Sequence, residues 1–148
     1  MTVTREQVLA QLYPDEPDYE GAAQLGPEAL PHLMQLIEEG DPDLASKATS
    51  LASVIDAAES IEAVDKAARS PDPVIRVAAA ALGNLSEMPD PLAQGMLNDE
   101  DVGVRKLALR SLERQQPAGF KQKAQQMAAN DPNPVLREYA ARVAEELP

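Results

Sequence analysis

"SPDPVIRVAAAALGNL", residues 70–85, decides how the rest of the chain is read. Ser70, Pro71 and Asp72 form a turn, and the residues after it are almost all small and apolar. Asp72 can accept a free N–H group of the helix it precedes. Pro73 then occupies the first helical position, where a missing N–H costs nothing. Within the helix, Ile75, Ala79 and Leu82 recur at i, i+4 and i+7 and make a core stripe. Val74, Val77 and Ala81 fall on the other side. A helix apolar on two sides leaves two readings open: a layer packed on both sides within a stack, or a core face backed by a contact surface.

The turn recurs along the chain. "DPDLASK" at 41–47, "DEDVGVR" at 99–105 and "DPNPVLR" at 131–137 share its pattern, an acidic turn followed by a basic residue four places after the third position. Those third positions are Asp43, Asp72, Asp101 and Asn133, spaced 29, 29 and 32 apart, with Lys47, Arg76, Arg105 and Arg137 in step. A period near 30 marks stacked supersecondary units. Asp101 and Asn133 are expected to cap as Asp72 does, with Pro134 in the place of Pro73. In the first copy Asp41, followed by Pro42, takes the cap, which starts that helix two residues early and sets Lys47 apart from the arginines.

After each turn one apolar stripe follows: Leu44, Ala48, Leu51 and Ile55; Val104, Ala108, Ser111 and Leu112; Leu136, Ala140, Val143 and Ala144. Before each turn lies another amphipathic segment, holding Leu30, Leu33, Met34 and Ile37; Ile61, Val64 and Ala68; Leu92, Met96 and Leu97; or Phe120, Ala124, Met127 and Ala128. The unit is therefore helix A, acidic turn, helix B. No single hairpin buries its stripe alone, so the pairs must stack. The first 26 residues fit as a degenerate terminal unit, with "TREQVLAQL" as helix A and "DYEGAAQLG" as a short helix B. The expected organisation is one domain, 1–148, of five units at about 1–26, 27–57, 58–87, 88–115 and 116–148.

Composition agrees with an all-α chain. Among 148 residues only three are Tyr, one is Phe and none is Trp, so Leu, Val, Ile and Ala must build the core. Ala favours helix and lets neighbouring helices approach. β-Branched residues never run with period two, and 13 prolines punctuate the sequence. There is no cysteine, which removes disulfides, thiol nucleophiles and Cys-bound metal from consideration. The N-terminus lacks the basic and apolar regions of a signal peptide, and no apolar run is long enough to span a bilayer, so a cytoplasmic location is expected.

The net charge is −12, unevenly distributed: residues 1–60 hold 2 basic and 12 acidic side chains, and residues 61–148 hold 11 and 13. A phosphate backbone or an anionic membrane is repelled by the first half, so neither is an expected partner. A protein partner, basic where it meets the first half, fits this distribution. A monomer is the default.

The chain resembles HEAT-repeat proteins, of the short type known from phycobilisome-lyase-like bacterial repeats. The resemblance rests on "LGPEALPHLMQLI" at 25–37, similar to the Pro-containing first helix of such repeats, and on "SPDPVIRVAAAALGNL", "DEDVGVRKLALRSL" and "DPNPVLREYAARVA", which resemble their turn and second helix. It covers about residues 25–147. The resemblance implies an α-α superhelix of about five antiparallel helix pairs, with B helices on the concave side. It also implies a first helix kinked at Pro31, and Arg76, Arg105 and Arg137 pairing with Asp of neighbouring turns.

Candidate chemistry is sparse. His32 is the only histidine and has no second His or Cys to share a metal. "DEDVG" at 99–103 places glycine where a calcium loop needs an oxygen ligand. The phosphate-cradling glycine patterns are missing. No catalytic residue, metal or cofactor is expected. The candidate partner-binding residues are Val74, Val77, Ala81 and Thr49, beside Lys106 and Arg110. They would form an apolar strip next to a basic pair, with Ala45 and Ala52 flanking Thr49. The expected function is a non-catalytic scaffold or adaptor that binds a protein on its B helices. The alternative that the resemblance implies is a bilin lyase-type enzyme or enzyme subunit acting on a tetrapyrrole-carrying protein, whose acceptor thiol would lie on that protein.

Overall fold

The computed structural model describes residues 2–81, 85–86 and 88–148. Leu82, assigned to the core stripe by its spacing, lies outside the described residues. Among the described residues there are ten α-helices and no strand, and no helix is long and apolar enough to cross a membrane. The chain divides into two compact units, Met1–Glu87 and Met88–Pro148. The division coincides with a boundary between sequence repeats.

The first unit opens with α1 (Arg5–Leu12), started by a reciprocal cap. Thr4 Oγ1 accepts the Gln7 N–H at 3.2 Å, and Gln7 Oε1 accepts the Thr4 N–H at 2.8 Å. A short α2 (Tyr19–Ala22) leads through a 3-10 turn, Ala23–Leu25. The following segment does not form one kinked helix. Pro27–Ala29 makes a 3-10 turn and α3 (Leu30–Glu39) begins after it. Pro31 sits in the first turn of α3, where its missing N–H breaks no intrahelical bond. Gly40, at φ 80°, adopts the left-handed conformation that closes α3. Asp41 then caps α4 (Pro42–Ile55) by accepting the Leu44 N–H at 2.9 Å.

The hairpins α3–α4 and α5 (Ser60–Ala68)–α6 (Pro73–Ala80) pack with α3 on α5 and α4 on α6. Leu33, Leu51, Val64, Ile75 and Ala79 are fully buried between them. Each large aliphatic side chain of this kind contributes about 1.5–3 kcal/mol through removal from water. The stripes thin out at helix ends, where Leu44, Ile55, Ile61 and Ala68 are half-buried. Polar ties add definition at the margin. Arg5 pairs with Glu39 at 2.7 Å, Lys66 pairs with Glu38, and His32 Nε2 donates to the Val3 carbonyl at 2.9 Å.

The second unit contains α7 (Asp90–Leu97), α8 (Val102–Gln115), α9 (Phe120–Asn130) and α10 (Pro134–Glu146). Helix α7 packs on α8 and α9 on α10, and both α9 and α10 also meet α8. Val104, Ala108, Leu112, Phe120, Ala124 and Ala140 form its interior.

Three of the acidic turns are wired alike. Asp72, Asp101 and Asn133 cap α6, α8 and α10, accepting the N–H groups of Val74 at 2.9 Å, Val104 at 3.1 Å and Val135 at 2.9 Å. Each such cap stabilises its helix by about 1 kcal/mol. Two residues earlier, Ser70, Asp99 and Asp131 accept the cap residue's own N–H at 3.1, 2.9 and 2.9 Å. The arginine six places on then donates to the carbonyl of that same residue. The distances are 3.0 Å for Arg76 to Ser70, 2.9 Å for Arg105 to Asp99 and 2.6 Å for Arg137 to Asp131. The turn at 41–47 has no room for this, because Asp41 is itself the cap. Lys47 instead donates to the Pro14 carbonyl at 3.0 Å and pairs with Asp43 at 3.2 Å.

Candidate functional site

The six candidate residues divide between the units. In the first, Val74, Val77 and Ala81 lie at i, i+3 and i+7 on α6 and its C-cap, which puts them on one side of the helix. Val74 is 55 % exposed, Ala81 is exposed and Val77 is half-buried. Thr49 requires a correction. It is fully buried, as are its neighbours Ala45 and Ala52. Its hydroxyl donates to the Ala45 carbonyl at 2.8 Å, which satisfies the polar group inside its own helix. Helix α4 packs against α2, α3, α5 and α6, so it is covered on both its small-residue stripes. Thr49 is therefore out of a partner's reach. For this part of the strip, close packing is the outcome, and Ala and Thr are the residue types that permit it.

In the second unit, Lys106 and Arg110 are exposed on α8. Lys106 lines a hollow of about 430 Å³ together with Val102, Asn133, Val135, Leu136, Tyr139 and Arg142, and Arg110 stands one turn beyond it on α8. Two helices supply it. Along α8 the sequence Val102, Lys106, Arg110 repeats every four residues, and along α10 Val135, Tyr139 and Arg142 fall at i, i+4 and i+7. Val102 is 45 % and Val135 73 % exposed, while Leu136 belongs to the core. The Arg142 guanidinium lies 5.9 Å from the centre of the Tyr139 ring, within cation–π range. The Tyr139 hydroxyl donates weakly to Glu113 Oε1 at 3.4 Å. Burial, reinforced by the Glu113 charge, pushes the Tyr139 hydroxyl above the usual tyrosine range, against the lowering effect of Arg110 and Arg142.

Val102, Val135, Tyr139 and Arg142 were not singled out from the sequence. A signal for two exposed valines was present. Val74 and Val135 each stand two places after a capping residue, next to the core residues Ile75 and Leu136 and off the buried stripe. Nothing in the sequence placed Val102 and Val135 in one hollow, because that depends on how α8 and α10 dock.

The Arg105–Asp131 pair has the look of a catalytic constellation, since both side chains are buried. Its polar atoms are already engaged. Arg105 Nε donates to Asp131 Oδ2 at 2.9 Å and Nη2 to Oδ1 at 3.2 Å. Nη1 donates to the carbonyls of Asp99 at 2.9 Å and Glu100 at 3.2 Å. This bidentate pair ties the turn before α8 to the turn before α10. Among the described residues, no group of three or more His, Asp or Glu side chains is placed to hold a metal ion.

The fold and this surface define the class only broadly, as a protein all-helical among its described residues with an apolar and cationic hollow on α8 and α10. No family model matches the chain, and no curated protein matches it.

Proposed function

We propose that this protein is a HEAT-like α-solenoid of five helix pairs that binds another protein, without catalysis, through the surface of its B helices. The observation that carries the reading is the exposure of large apolar side chains at the start of those helices: Val74 on α6, Val102 on α8 and Val135 on α10. Single exposed valines are ordinary, but here all three stand in the first turn of a helix that follows an acidic turn, Val74 and Val135 at the same place after the cap, and Val102 and Val135 share a hollow. The repeat arrangement is supported by the common wiring of three turns and by α3 lying on α5 as α4 lies on α6.

The test is affinity capture from the host with the natural protein and with Val74→Asp and Val135→Asp. Both positions are more than half exposed, so the variants should keep their circular dichroism and melting temperature. Val77→Asp is less clean, since Val77 is half-buried. The expected result is a partner retained by the natural protein and lost by at least one variant. Equal capture by all three proteins refutes the reading.

A further inference from the structure

The cations at the α8–α10 hollow, like Arg114 and Arg137, are not held in ion pairs among the described residues, whereas six other cations are. Among the described residues Arg5, Lys47, Lys66, Arg69, Arg105 and Lys123 all pair with carboxylates of the chain itself. Lys106, Arg110 and Arg142 have no carboxylate within ion-pair distance. In a protein of net charge −12, Lys106 and Arg142 line one apolar hollow and Arg110 stands one turn beyond Lys106 on α8. The nearest acidic group identified there, Glu113, is engaged by the Tyr139 hydroxyl.

The hollow is also polar in the directional sense. Its apolar side chains, Val102 and Val135, stand in the first turn of α8 and α10, and the guanidiniums, Arg110 and Arg142, stand two turns further along. Val102 and Val135 line the hollow together, as do Lys106, Tyr139 and Arg142 one to two turns further along, so the two helices run the same way and carry Arg110 and Arg142 toward the same end. Eight residues of helix separate Val102 from Arg110, a rise of about 12 Å. An extended peptide advances about 3.3 Å per residue and points alternate side chains to one side. The matching spacing is therefore about four residues between an apolar side chain and a carboxylate.

We infer that this hollow binds an extended segment of another protein in which an apolar side chain sits between Val102 and Val135 and a carboxylate about four residues away meets Arg110 and Arg142. The inference rests on the protein-binding reading above and makes it specific. Net charge alone points to a basic partner, whereas this surface selects an acidic segment with an apolar side chain at a set distance from its carboxylate. Charge complementarity of this kind sets orientation and rejects wrong partners.

The test uses the full chain and three labelled decapeptides in a glycine–serine background, read by fluorescence anisotropy. One carries a leucine with two glutamates four and five residues later. The second has lysines in place of the glutamates, and the third has glycine in place of the leucine. The first should bind at least tenfold more tightly than either control. Arg110→Glu combined with Arg142→Glu should weaken it at least tenfold, as should Val135→Asp, with circular dichroism unchanged. Raising salt from 50 to 500 mM should also weaken it. Equal binding of the glutamate and lysine peptides overturns the inference, as does no binding of the first peptide at millimolar protein. If the lysine peptide binds and Val135→Asp abolishes it, the acidic assignment falls while the protein-binding reading stands.

Discussion

Replacing Asp131 by alanine tests whether the buried pair between the turns before α8 and α10 holds the second unit together. Arg105 and Asp131 are 7 % and 6 % exposed. Removing one partner of a buried pair leaves the other charge without compensation, at a cost of about 3–5 kcal/mol. Arg105 would keep its bonds to the carbonyls of Asp99 and Glu100, which favours the lower end. The Asn133 N–H also loses its acceptor, adding about 1 kcal/mol. The expected loss is therefore about 3–4 kcal/mol, or about 6–16 °C in melting temperature for a chain of this length. Asp131→Asn should cost less, because Oδ1 survives to accept the Asn133 N–H, although its new amide hydrogens oppose Arg105 Nε. Arg105→Met combined with Asp131→Ala should cost less than Asp131→Ala alone, since no charge is then left buried. Urea unfolding followed by far-ultraviolet circular dichroism gives these three values and that of Arg105→Met alone. A cost below about 1 kcal/mol for Asp131→Ala, or a double variant equal to the sum of the singles, refutes the argument.

Ala79 is fully buried in α6, so Ala79→Leu should destabilise by about 1–3 kcal/mol through overpacking, read from urea midpoints. An unchanged midpoint would contradict the helix phase. Gln116 closes α8 at φ 46°, a conformation costly for a residue with a Cβ. Gln116→Gly should raise stability by about 0.5–1 kcal/mol, visible as a higher melting temperature. The hydrogen bond from Arg5 holds the Glu39 carboxyl below the usual glutamate range. Because its folded-state value is depressed, this pair's contribution is present above the unfolded value and disappears as pH falls through the folded one. Carboxyl-carbon NMR titration should show Glu39 titrating below an ordinary glutamate, and Arg5→Gln should return it to the usual range.

The helices and their starts were legible in the sequence because they rest on local chemistry. Asp41, Asp72, Asp101 and Asn133 cap the helices they precede, since a short polar side chain before an N–H-rich helix end needs only its own neighbours to act. The core stripes of α8 and α10 followed from spacing for the same reason: 3.6 residues per turn fix which side chains share a face. One local expectation shifted. Pro31 begins a helix instead of bending one, because a 3-10 turn at Pro27–Ala29 comes first.

By itself, then, the sequence determined the all-helical class, the caps and the buried faces of α8 and α10, all of them consequences of neighbours along the chain. It could not determine the fate of the second face. Thr49 and Val74 are both off the main stripe, yet Thr49 is buried and Val74 exposed. Only the packing of α4 against four neighbours decides the first, and only the absence of such cover on that side of α6 leaves the second open. In the same way the docking of α8 and α10 brings Val102, Val135, Tyr139 and Arg142 to one hollow and Asp131 to Arg105. These contacts span 26 or more residues of chain. The local periodicity of a helix carries no information across that distance, and tertiary packing supplies it.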